Sequence, residues 1–191
     1  MKNWIGAAAL AALVAGCGGP DASEADRTAA PADSAMAVPV PEAAAPAAVP
    51  AASTADYIAK AGAGDLWEIE SSKALLAKSK DAKVRAFAEM MIDHHGKSTA
   101  KVKAAAAAAG AQVAAPQLDP DQEKMLADIK AADAAGIDKI YLGHQKTAHD
   151  AALALHQGYA TSGEAASLKQ AAAEIVPVVE AHRTELGKLA P

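Results

Sequence analysis

The sequence is poor in the residues that build strands and in those that bind nucleic acid. Aromatic residues make up 3% of its 191 positions, and β-branched residues are sparse, so the side chains that suit a pleated surface are missing. That excludes all-β and α/β domains. Basic residues number 18 against 23 acidic ones, a formal charge of −5, where a nucleic-acid binder would carry a basic patch. Phosphate-cradling glycine patterns are absent, as is the Gly-x-Ser-x-Gly nucleophile elbow. Serines fall mostly in the N-terminal segment or at helix ends, and nothing nominates a catalytic residue. Hydrophobic residues total 52%, but much of that fraction is alanine. With lysine, leucine and glutamate, alanine makes the composition that of a helical protein.

The only cysteine, Cys17, is explained by what precedes it. A short basic start, Met1-Lys2-Asn3, leads into an apolar run from Trp4 to Ala15 and then Leu13-Val14-Ala15-Gly16-Cys17. This is the layout of a secretory signal, and the run falls short of the ~20 apolar residues of a membrane-spanning helix. Small residues directly before a cysteine resemble a bacterial lipobox, in which the signal (residues 1–16) is removed and the Cys17 thiol carries a lipid. An ordinary signal peptide would instead leave a stray thiol in an exported protein. The expectation is an exported protein facing the periplasm, with the membrane as its partner through Cys17. Gly18 after the cysteine favours the outer membrane over the inner one.

Residues 17–55 read as a tether. Six of the ten prolines, Pro20, Pro31, Pro39, Pro41, Pro46 and Pro50, fall there among alanines and small polar residues. Such a stretch buries too little apolar surface to offset its ordering entropy and forms an extended spacer. The folded domain is expected over 56–191. Its helices are expected from about Thr54 to Ser79, from an Asp81 cap to Gly110, from Pro120 to Ala132, from Gly136 or Asp138 to Thr161, and from Glu164 to Leu189. Pro177 should kink the last. Four long helices and one short one predict a four-helix bundle with the extra helix in the crossover.

Apolar spacing assigns the buried faces. Leu168, Ala172, Ile175, Val179, His182, Leu186 and Leu189 are spaced 4, 3, 4, 3, 4 and 3, an unbroken bundle seam. Val84, Ala88, Met91, His95 and Val102 form a second. In the third long helix His149 and His156 lie within ~20° of each other. The first helix shows Ile58, Asp65, Leu66, Ile69 and Leu76 on one face, with Glu68 and Glu70 on its edges. The alanines between Lys101 and Ala109 suit close helix packing. A lone inward histidine is ordinarily a hydrogen-bonded core imidazole. Three helices sending His95, His149 and His182 inward near mid-helix, with Glu68 on the fourth, are also the donor set of a transition-metal site.

The stretch Asp65-Leu66-Trp67-Glu68-Ile69-Glu70, then Val84-Arg85-Ala86-Phe87-Ala88, then Met91-Ile92-Asp93-His94-His95 resembles the bacterial ferritin-like family catalogued as domain of unknown function 4142. So do Tyr141, Ala148-His149, Leu168-Lys169, Pro177 and Ala181-His182. The resemblance implies an exported ferritin-like bundle of uncharacterised role. It places the family's recurring glutamate on Glu68 and its histidines on His95, His149 and His182. His94 stands where members more often carry an acidic residue; His144 and His156 have no counterpart and read as incidental. Di-iron bundles use Glu-x-x-His on two helices, and this chain has no such motif. Any cofactor is therefore expected to be copper or zinc rather than di-iron. Two functions stay open: a metal or small-ligand binder, and a non-catalytic structural or interaction module of the envelope with a buried polar layer.

Overall fold

The computed structural model describes residues 53–189. Cys17, the expected signal segment and the expected tether as far as residue 52 lie outside the described residues. Five helices follow: α1 (Thr54–Leu76), α2 (Ala82–Ala108), α3 (Pro120–Ala131), α4 (Ile137–Ser162) and α5 (Ala166–Leu189). The domain is an all-α bundle, and no helix among the described residues is long and apolar enough to cross a membrane.

Local chemistry sets the ends. Asp81 caps α2 by accepting from the Lys83 and Val84 amides. Asp119 and Gln122 form a reciprocal capping box at α3, with Pro120 in the first turn. At the end of α2, Gly110 takes φ 66°. Its N–H donates to the Ala107 carbonyl and that of Ala111 to Ala106, the glycine-terminated Schellman arrangement. α1 stops at Leu76 instead of Ser79, because the Lys78 and Ser79 amides both turn back to the Leu75 carbonyl. Arg85 of α2 then donates to the freed Leu76 and Ser79 carbonyls. Glu164 precedes α5 rather than opening it, and its carboxylate accepts from the Thr54 amide at the start of α1. α5 runs unbroken through Pro177. Proline removes the hydrogen bond to residue i−4, here Ala173, and both residues are exposed, so water can serve that carbonyl.

α1 packs chiefly on α2, and α4 on α5; α2 also meets α5, and α1 meets α4. Paired residues show that neighbours run antiparallel. Along α1 and α4, Tyr57 meets His156 and Ser72 meets Tyr141. Along α2 and α5, Ala105 meets Ser167 and His94 meets His182. α2 and α4 are thus parallel and diagonal, so the chain must travel back along the bundle between them. The 111–119 loop and α3 make that journey, with α3 lying against α1 and α4.

The seams on α2 and α5 are buried as expected, except that Leu189 at the end of α5 is half-buried. The face of α1 is rotated. Tyr57, Ile58, Ala61, Asp65, Trp67, Glu68, Ser72 and Leu75 are buried, whereas Leu66, Ile69 and Leu76 are only half-buried. Polar residues occupy three seam positions, which hides the seam from an apolar pattern. The alanine run packs through Ala105 and Ala106, and its other alanines are exposed. Two apolar clusters result. One gathers Trp67, Leu75, Phe87, Met91, Tyr141 and Leu186; the other gathers Tyr57, Val102, Tyr159, Leu168, Ile175 and Val179. On each of the four long helices, the polar residues Asp65, Glu68, His95, Gln145, His149 and His182 fall between the two.

Candidate metal centre

Glu68, His95, His149 and His182 come from four different helices and meet in that intermediate layer. All four are buried, between 1% and 6% exposed. One ligand atom each from His95, His149 and His182 lies within 4.8 Å of the other two. Glu68 stands behind this group: its Oε1 is 3.3 Å from His149 Nδ1, and its Oε2 accepts from Gln145 Nε2 at 2.6 Å.

Fixed acceptors decide which nitrogens carry protons. His95 Nδ1 donates to Asp65 Oδ1 at 2.8 Å, and Asp65 Oδ2 also accepts from Thr99 at 2.9 Å. This leaves His95 Nε2 buried with no hydrogen-bond partner. His149 Nδ1 donates to the Gln145 backbone carbonyl at 2.9 Å, so its Nε2 holds the lone pair. His182 Nδ1 must therefore donate to His149 Nε2, 3.2 Å away. The Nε2 of a neutral His182 in turn accepts from His94 Nδ1 at 2.8 Å. When neutral, His95 and His149 present Nε2 lone pairs to a metal; His182 presents Nδ1 by moving its proton to Nε2.

The charges follow from the same geometry. Burial disfavours a charged His95, but its hydrogen bond to Asp65 and the charges of Glu68 and Asp65 outweigh that and raise its pKa. His182 has no carboxylate partner, and burial with three neighbouring histidines pushes it down to about 3. Burial and the nearby Glu68 charge raise the Tyr141 hydroxyl.

Sequence reading missed four members of this site: Asp65, Gln145, Thr99 and His94. Helical spacing offered a signal for three of them. Gln145 precedes His149 by four residues, Thr99 follows His95 by four, and Asp65 occupies an α1 seam position. His94 lies beside the α2 seam and reaches the site only because α5 presents His182 to it. His144 is peripheral, 3.4 Å from Asp128. His156 is buried two turns from His149, with Nδ1 bonded to the Tyr57 hydroxyl at 3.0 Å. A cavity of about 540 Å³ between α1, α4 and the crossover reaches Asp65, Glu68, His95 and His156. Trp67, whose buried Nε1 lacks a partner, also lines it.

The fold resembles a crystal structure of a DUF305 fragment from Deinococcus radiodurans. The TM-score is 0.62 at 14% identity, over 74% of this chain and 98% of that one. At that identity the likeness concerns the fold alone. No curated protein matches the chain. Residues 38–189, which carry the whole bundle and every residue of the buried layer, match the model of the domain of unknown function DUF4142, and the chain belongs to that family.

Proposed function

We propose that the bundle binds one transition-metal ion through His95, His149 and His182, with Asp65 and Glu68 orienting the first two from behind. The supporting observation is His95 Nε2, a buried nitrogen without a hydrogen-bond partner, on a ring whose other nitrogen is held by a carboxylate. Buried polar atoms are ordinarily satisfied, and a carboxylate behind a ligating imidazole is the usual support of a metal site. Three imidazoles suit copper or zinc and leave a fourth position to a non-protein ligand. Carboxylates here stand behind histidines, unlike in a di-iron centre.

A second reading has its own support. His149, His182 and His94 already satisfy one another by hydrogen bonds, as a purely structural polar layer would. Tag-free protein loaded with Cu(II) or Zn(II) and dialysed separates the two. The metal reading expects about one ion per chain and none in His182→Leu; an empty wild type supports the structural layer.

For location, the proposal is a lipid-anchored protein facing the periplasm, supported by the residues before Cys17. Labelling with a tagged fatty acid should mark the wild type and miss Cys17→Ala. Equal labelling of both would reject the anchor.

A further inference from the structure

We propose that His94 is the loading residue of the buried site: an incoming metal ion is first held between His94 and His182, then passes to the inner three histidines. This rests on the metal reading above and adds the route.

The two faces of His182 carry the argument. Its Nδ1 is turned to His149 Nε2, inside the layer, and its Nε2 to His94 Nδ1 at 2.8 Å. The His94 and His182 rings are stacked, 19° apart in plane with centroids at 5.1 Å. His182 is thus shared between an outer pair of nitrogens and the inner group. The pair differs from the inner histidines in access. The His94 side chain is 36% exposed, while His95, His149 and His182 are closed off. Its own Nε2 lies 3.8 Å from the Asp93 carboxylate at the surface. A hydrated cation meeting this face finds one imidazole within reach and a second stacked behind it. Holding the ion there takes the His94 proton from Nδ1 to its own Nε2, and the ion passes inward as the His182 proton moves from Nδ1 to the Nε2 that the ion vacates. His182 is also the one inner histidine whose lone pair points away from the centre. His94 stands outside the group of three whose ligand atoms lie within 4.8 Å of one another.

The test mixes metal-free protein rapidly with Cu(II) and follows copper–imidazole absorption, with the copper content measured at the end. His94→Leu should load at least tenfold more slowly and still reach one copper per chain. His94→Glu, which restores a metal-binding side chain, should recover part of the rate. Wild-type rates in His94→Leu would overturn the proposal. So would slowing by Ala152→Leu alone, which narrows the cavity under the crossover and would make that cavity the route. Final copper lost in His94→Leu would overturn it too, by making His94 a ligand of the inner site. A wild type that takes up no copper at equilibrium fails the metal reading itself, and the loading route with it.

Discussion

Two buried histidines seven residues apart on α4 share one face of the helix and meet different company. Around His149 the opposing helices present Glu68, His95 and His182, and three imidazoles face one another. Around His156 the polar company is tyrosine: the Tyr57 hydroxyl on Nδ1, with the Tyr57 ring stacked on Tyr159 at 4.0 Å. The first region has a nitrogen left over, the second a matched pair inside an apolar cluster. A helix face therefore decides that a histidine is buried. The three other helices decide what it can do.

The largest expected effect is on metal content. His149→Ala should reduce bound copper or zinc from about one ion per chain to none, whereas His156→Ala should leave it unchanged. Elemental analysis of the two variants after loading decides this, and equal losses would erase the distinction between the regions.

Acid should isolate the His156 contribution next. Burial pushes His156 down from 6.5 to about 4, so the unfolded chain takes up its proton first as the pH falls. Stability from keeping this ring neutral is complete above about pH 6.5 and is lost progressively between 6.5 and 4. At 1.36 kcal/mol per pKa unit, the loss is at most ~3 kcal/mol. Denaturant melts at pH 7 and 4.5 should show a smaller acid loss in His156→Gln than in the wild type. Parallel losses would show that His156 is not the titrating group. His95 is raised and His182 is lowered to about 3, and both contributions are common to the two proteins.

The smallest effects concern supporting partners. Asp65→Asn keeps the shape but removes the charge behind His95, and should weaken metal binding ~10–100-fold. Tyr57→Phe strips His156 of its partner, and should cost ~1–2 kcal/mol of stability with metal affinity intact. Isothermal titration with Cu(II) and thermal melts of both variants check the pair. A metal effect from Tyr57→Phe would join the two regions into one site.

Much of the bundle is written in the sequence because helix formation and amphipathic burial are nearly local. Asp81, Asp119 with Pro120, and Gly110 mark helix ends through their own side chains or backbone freedom. The apolar seams of α2 and α5 already place His95 and His182 inward. α1 was less legible: its buried face carries Asp65, Glu68 and Ser72, so hydrophobic spacing pointed to Leu66 and Ile69 instead. Which residues meet depends on how far each helix slides along its neighbours, and no single helix encodes that distance. Packing alone set Asp65 against His95, placed Glu68 behind His149 rather than among the converging nitrogens, and stacked His94 on His182. Through those hydrogen bonds it also decided which imidazole nitrogens are free. The sequence determined that these histidines are buried, because burial follows the periodicity of one helix. Their chemistry was decided by tertiary structure, because a lone pair is free or occupied only in relation to groups on other helices.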